Sequence, residues 1–384
     1  MFLYDKILRQ PLKLLQYCIS YIIPKNKKII VYGAWYGNNF TDNSKYVFLE
    51  ASKDKEYKNI WISKNKKVVE ELKTKGYKAE YIYSIKGIIY QLIAGKAVVC
   101  VGYPDLCRPL IAHKKILHLW HGVPLKKICY DVSLPGFLER LQDVFFRDTR
   151  VLYTSKNYYE IYKRCFGKDD KHLFLCGQPR NDIFYDSNLI DREMLDQFKK
   201  ISVQTKTIVY LPTHRHEGKE LLNLDKHIDF AKLDLFCKEN NMDFFIKKHF
   251  YHLNEPLISG YDNIHDISNT DYDAQFLLSQ ADVLITDYSS CYVDYLLRCK
   301  PIIFFQYDKD NYIKNERDFY YDNEYVQPGI VATSYSELED ALAKIDGEDQ
   351  EEQKIKLENA RDFFYEPRFQ KKTSKIVWNY IKEM

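Results

Sequence analysis

The nine cysteines of this 384-residue chain include no Cys-x-x-Cys pair and no closely spaced framework. That excludes a disulfide-stapled scaffold and the common zinc sites, and it points to reduced thiols in a cytosolic compartment. No run approaches the roughly 20 uninterrupted apolar residues of a membrane span. No secretory signal with a small-residue cleavage site is evident. Neither a Gly-rich dinucleotide loop nor a Walker A sequence occurs, so NAD and ATP are poor candidates and no cofactor is expected. Net charge is only +3 and the lysine runs are local, which excludes the concentrated basic stripe of a nucleic-acid binder. Internal repeats and low-complexity linkers are lacking as well.

What is present suits a large folded protein. The length allows two ordinary domains, and an apolar fraction of 46% is that of a globular chain. The 33 tyrosines and 22 phenylalanines supply packing area and half-wet surfaces. Strand-like apolar runs at 29–32, 59–63, 79–83, 97–101, 116–120, 151–154 and 173–176 alternate with helix-like segments. The pattern restarts at 207–211 and continues at 244–247, 283–286 and 302–305. Such alternation predicts an α/β fold with parallel sheets covered by helices. A turn at 177–186 and a helical stretch with Met194, Leu195 and Phe198 precede the restart, which places one domain at 28–195 and a second at 205–365. Helices are expected at 335–345, 350–364 and 370–383, with residues 366–384 able to cross back to the first domain. Residues 1–27 mix Phe2, Leu3, Ile7, Leu8, Leu12, Leu15, Ile19 and Ile22 with Lys6, Arg9, Lys13, Lys25 and Lys27. This suits a basic amphipathic helix on an anionic membrane, interrupted by Pro11; the alternative is a terminal helix packed on the domain.

Ligands of open α/β sheets bind beyond the carboxyl ends of the strands. Residues 281–285, apolar except for Asp282, read as a strand covered on both faces. They run into Thr286-Asp287-Tyr288-Ser289-Ser290 and then a helix that includes Asp294. Ser289 and Ser290 would stand at the helix start, where hydroxyls, free N–H groups and the macrodipole suit a phosphate or simply form a cap. Three other polar groups stand at strand ends: Trp120-His121, residues 211–213, and Lys248-His249.

His121 lies between a strand and the turn formers Gly122 and Pro124, with Lys126 and Lys127 nearby. As a neutral imidazole it can take the proton of an attacking hydroxyl. His249, preceded by Lys247 and Lys248, suits a pyrophosphate. His214-Arg215-His216 matches no zinc spacing and Arg215 would oppose a cation, so no metal is expected and Thr213 and Arg215 are preferred as phosphate contacts. Arg180 and Asn181 follow the strand at 173–176, although Asn181 and Asp182 suit a turn equally well.

Taken together, Trp120-His121-Gly122-Val123-Pro124-Leu125-Lys126, Gly177-Gln178-Pro179-Arg180-Asn181-Asp182, Leu211-Pro212-Thr213-His214-Arg215, Lys247-Lys248-His249 and Thr286-Asp287-Tyr288-Ser289-Ser290 resemble the CDP-glycerol glycerophosphotransferase family of teichoic-acid and capsule synthesis. The resemblance covers roughly residues 28–370. Two departures stand out: the family usually has His-Pro where this chain has His249-Phe250, and an aromatic or Phe-Arg pair near His214-Arg215. The resemblance implies a GT-B-like fold, two doubly wound Rossmann-like domains facing a central cleft. It implies transfer of glycerol phosphate from CDP-glycerol, or ribitol phosphate from CDP-ribitol, to a hydroxyl of a lipid-linked or oligosaccharide acceptor, with release of CMP. A GT-B glycosyltransferase using a nucleotide sugar shares the fold. His121 falls on the family's catalytic histidine, and Arg317 on a charged position before an aromatic pair. In that scheme His121 is the base; His249, Arg215, Thr286, Ser289 and Ser290 hold the diphosphate. Gly122, Lys126, Arg180, Asn181, Thr213, Lys248, Asp287, Asp294 and Arg317 complete the binding set. The enzyme would sit peripherally on the cytoplasmic face of the cell membrane.

Overall fold

The computed structural model describes residues 15–134, 136, 144–315, 318–322, 326–345, 347 and 350–384. Its strands are β1 (Asn26–Tyr32), β2 (Lys58–Ser63), β3 (Ala79–Tyr81), β4 (Ala94–Val99), β5 (Lys115–His118), β6 (Thr149–Tyr153), β7 (Leu173–Leu175), β8 (Lys206–Leu211), β9 (Met242–Ile246), β10 (Ile264–Asp266), β11 (Val283–Thr286), β12 (Ile302–Phe305) and β13 (Ile330–Ala332). They form a seven-stranded sheet in the order β3-β2-β1-β4-β5-β6-β7 and a six-stranded sheet in the order β10-β9-β8-β11-β12-β13. Every pairing is parallel.

Parallel sheets need cover on both faces, and the side chains alternate accordingly. In the first sheet Ile30, Tyr32, Val98 and Leu117 point into one buried cluster. Ile29, Val31, Ala97, Val99 and Ile116 point into another. In the second, Ile208, Tyr210, Phe244, Ile246, Val283 and Ile285 share one cluster, while Phe245 on the reverse face meets Phe198 at 4.6 Å between ring centroids. β10 and β13 are the two strands that sequence patterning missed. Each has three residues, and in β10 only Ile264 is apolar.

The chain divides into two compact units. One comprises Met1–His121, Cys129–Asp182 and Glu366–Met384, the other Gly122–Ile128 and Ile183–Tyr365. The second unit takes up the main chain again at Ile183, ahead of the expected domain ends at 195 and 205. The amphipathic helix Arg192–Ile201 belongs to the second unit, because its buried Phe198 packs on Phe245, Tyr272 and Phe276. Of the N-terminal segment, residues 1–14 lie outside the described residues. Residues 15–22 are helical and packed on the first unit: Tyr17 stacks on Phe145 at 4.6 Å, and Ser20 Oγ donates to the carbonyls of Leu110 and Ala112. Asn26 already begins β1.

The C-terminal helix Ser374–Glu383 buries Val377, Trp378 and Ile381 in the first unit's core. Asp182 holds its start: the buried carboxylate accepts from Thr373 N at 2.7 Å and Ser374 N at 2.9 Å. These are free donors of a helix first turn, for which a carboxylate is a strong acceptor. Asp182→Ala is expected to lower stability by about 1.5–3 kcal/mol, the range for hydrogen bonds to a charged group. Urea unfolding checks this, and a midpoint equal to wild type would dismiss the contact.

Candidate active site

Both sheets reverse their strand order beside their first strand, between β1 and β4 and between β8 and β11. The polar residues of interest gather at the carboxyl ends of these strands and their neighbours, where such sheets bind ligands.

In the first unit β5 ends at His118, and Trp120 then takes a left-handed φ of 58°. That sharp turn carries His121 off the sheet. Gly122 follows at φ 137°, a region glycine enters readily and other residues do not. The turn is held from behind. Asn43 Nδ2 donates to Trp120 O at 2.8 Å, and Asn43 Oδ1 accepts from Arg180 N at 3.0 Å. Arg180 Nη1 donates to His121 O at 2.8 Å and pairs with Asp42 at 3.3 Å. Asp42 in turn accepts from Trp35 Nε1 at 3.0 Å. The His121 ring lies 4.2 Å from that of Trp120 and 5.9 Å from that of Trp35. The structure thus brings His121 and Arg180 together, but Arg180 braces the turn. Asn181 is buried in the 3-10 stretch Pro179–Phe184, with its N–H donating to Gln178 O at 3.0 Å. Asp42, Asn43 and Trp35 were not anticipated, although they follow the carboxyl end of β1.

In the second unit Arg215 is buried to 3% exposure. Its Nε and Nη2 meet Asp308 at 2.6 and 3.1 Å, Nη2 pairs with Asp287 at 3.0 Å, and Nη1 donates to Thr213 O at 2.6 Å. Tyr288, Tyr307 and Tyr312 surround the guanidinium at 5.0–5.6 Å. Asp287 also accepts from Thr213 N at 2.9 Å, from the Thr213 hydroxyl, and from Tyr288 N at 2.6 Å. Lys126 reaches the same cluster: its ammonium meets the Tyr312 hydroxyl and lies 4.7 Å from the ring centre. Asp308 was missed, yet it closely follows β12.

Several expected ligand groups are committed elsewhere. Arg215 closes the ion cluster just described. Lys248, 3% exposed, is paired with Asp266 at 3.1 Å and donates to Pro256 O at 2.8 Å. Thr286 Oγ1 donates to Leu211 O at 2.8 Å. Asp294 accepts from Gln275 Nε2 at 3.1 Å and Tyr365 OH at 2.9 Å. All four are buried against structural partners, which for Arg215, Thr286 and Asp294 include residues 71–93 positions away that local spacing does not reveal. Arg317 lies outside the described residues.

The small polar groups remain. Ser289 Oγ accepts from Cys291 N at 3.3 Å, while Ser290 precedes helix Cys291–Tyr295 without a side-chain capping bond. His249 Nδ1 accepts from Tyr251 N at 3.4 Å, which leaves the ring proton on Nε2, able to donate. Its ring stands 4.9 Å from that of His214. His252 is fixed as the other tautomer: Nε2 accepts from Arg215 N at 3.3 Å and Nδ1 faces Glu255 at 2.7 Å.

Burial sets the charge of two rings. Desolvation, reinforced by His214 and His252, pushes His249 down to about 3. Desolvation, then repulsion from His121, pushes His118 to about 3, while its Nε2 faces Cys100 O at 3.1 Å. A base lowered in the folded state is protonated first in the unfolded chain. The stability these rings allow is therefore complete above the ordinary imidazole value and falls as pH drops from about 6.5 toward 3, by about 1.4 kcal/mol per pH unit for each ring. Imidazole NMR should show both rings neutral at pH 5; a midpoint near 6.5 for either would contradict this burial.

Residues 15–382 match the family described as CDP-glycerol:poly(glycerophosphate) glycerophosphotransferase. The chain is 32% identical over 345 residues to a teichoic acid poly(glycerol phosphate) polymerase of Staphylococcus epidermidis, covering 83% of this chain and 46% of that protein. It is 29% identical over 351 residues to a protein of the same description from Bacillus spizizenii, covering 86% and 87%. The chain thus spans about half the length of some relatives and most of others. The wall teichoic acid polymerase TagF superposes with a TM-score of 0.77 at 25% identity, over 99% of this chain and 95% of that one. Solved forms of it include one with a histidine changed to alanine and one with a histidine changed to asparagine and soaked with CDPG. Staphylococcus aureus MnaA with UDP superposes at 0.55 with 14% identity over 94% and 96%, a likeness of fold alone. The two parallel sheets and these superpositions make the fold GT-B-like. With the family match running through both units, the chain belongs to the CDP-glycerol:poly(glycerophosphate) glycerophosphotransferases.

Proposed function

We propose that this chain transfers glycerol phosphate from CDP-glycerol to a hydroxyl of a lipid-linked or growing cell-surface glycan, releasing CMP. The observation that carries the proposal is the braced His121 turn in a chain of this family. An acceptor oxygen attacks the phosphorus that bears glycerol, the bond to the CMP oxygen breaks, and His121 takes the acceptor proton. On the donor side, neutral groups donate to the diphosphate and to the CMP phosphate as it leaves: His249 Nε2–H and the Ser289 and Ser290 hydroxyls. Arg215 acts behind them by holding Asp287 and Thr213. CDP-ribitol is the second reading, supported by 30% identity over 252 residues to the S. aureus teichoic acid ribitol-phosphate polymerase TarL. His121→Ala is expected to lower CMP release from CDP-glycerol by about 10²–10⁴-fold while calorimetry shows donor binding retained. More than about a third of wild-type turnover would remove His121 from the role of general base. Faster CMP release from CDP-ribitol would select the second reading, and UMP, UDP or GDP release from nucleotide sugars would replace both.

We also propose peripheral contact with an anionic membrane on its cytoplasmic face. Among the described residues no helix is long and apolar enough to cross a membrane. The reading is supported by the outer face of helix 15–22, where Leu15, Ile19 and Ile22 are 55%, 38% and 77% exposed while Tyr17 and Ser20 face inward. Exposed Lys27 and Lys28 follow. Because Tyr17 and Ser20 are packed, deletion of the whole segment would damage the fold, whereas Leu15→Ser/Ile19→Ser/Ile22→Ser leaves it intact. This variant should leave phosphatidylglycerol vesicles in a sedimentation assay, and wild-type binding should weaken with salt. Equal vesicle affinity for both proteins would refute the contact.

A further inference from the structure

The second unit contains a cavity of about 540 Å³ that the transfer chemistry does not use. Its apolar walls include Ile302, Ile345 and Leu357, all buried. Lys344, Lys354 and Gln353 also line it. Its position separates it from the donor-side groups. Ile302 opens β12, so the cavity lies at the amino ends of the parallel strands, whereas Thr213, His249 and Ser289 follow their carboxyl ends. At about 3.3 Å per residue, the four residues of β12 alone place roughly 13 Å between the two ends.

The lining has the composition of a small-molecule site, apolar with few polar groups. Lys344 and Lys354 are exposed and make no ion pair among the described residues; Glu352, an acid nearby in sequence, is taken by Lys356 at 2.7 Å. Gln353 Oε1 is buried in the same wall with no hydrogen-bond donor. An alkyl chain satisfies the walls, and an anionic head satisfies two ammonium groups.

We propose that this cavity binds a single-chain anionic amphiphile, an alkyl chain of fatty-acid length ending in a carboxylate or phosphate. The inference does not depend on the identity of the transferred polyol. Calorimetric titration of the full chain with dodecanoate and with dodecyl phosphate at about 50 mM salt should give one saturable site per chain. Lys344→Ala/Lys354→Ala should weaken it about tenfold or more, since both substitutions remove charge from the head's surroundings at low screening. Leu357→Trp, which fills the space, should abolish it. The lysine pair is exposed, so that variant folds even where the tryptophan variant does not. Dodecanoate and dodecyl phosphate separate the two head chemistries, and tighter binding of either supports the site. Three results overturn it: no saturable binding, affinity unchanged in the lysine variant, or dodecanol binding as tightly as dodecanoate.

Discussion

The Arg215 guanidinium, shut away from water at the carboxyl ends of three adjacent strands, is the interaction on which the candidate donor side depends. Thr213 follows β8, Asp287 follows β11 and Asp308 follows β12, and Arg215 touches all three. Burial by itself lowers the arginine's pKa, but Asp287 and Asp308 reverse that and keep it charged. Removing one member of such a cluster leaves an uncompensated charge, at a cost of about 3–5 kcal/mol. Asp287 is further spoken for by two backbone N–H groups and a hydroxyl. The segments that lead to Ser289 and Tyr312 therefore start from fixed points, Asp287 and Asp308. Tyr312 stacks on Tyr288 at 3.7 Å and meets Lys126, so residues far apart in sequence share one frame.

The first unit solves the same problem with backbone geometry. Trp35, Tyr36, Asp42 and Trp120 all have positive φ, a conformation that costs a non-glycine residue about 1–2 kcal/mol. Such strain persists only where surroundings over-determine it. Here Asn43 grips Trp120 O and Arg180 grips His121 O. Asp105 ties the loops after β1 and β4 by accepting from Tyr36 N at 2.7 Å and from Cys100 N and Val101 N at 2.8 Å. The turn that carries His121 is thus held by contacts to its main chain.

Much of this was legible because apolar runs carry the sheet. Residues 29–32, 207–211 and 283–286 have the continuous burial of central parallel strands, and each was readable without a partner. Ile264–Asp266 was not, since its middle and last residues are His265 and Asp266. The site was legible to the level of strand ends and no further. Lys248 and Arg215 look like phosphate ligands until Asp266 and Asp308 are found beside them, and the latter lies 93 positions away. Local spacing also cannot distinguish Asp182 as a turn former from Asp182 as the anchor of a helix almost two hundred residues later.

Placing the cations in buried pairs has a chemical consequence under the proposed reaction. Arg215 and Lys248 are engaged by Asp287, Asp308 and Asp266, so in that reaction they act through the groups they hold in place. In the proposed reaction the His249 Nε2–H and the Ser289 and Ser290 hydroxyls would donate to the diphosphate, and each such bond strengthens as charge grows on the leaving phosphate. The fixed ion pairs would then supply the geometry from which these neutral groups meet the developing charge.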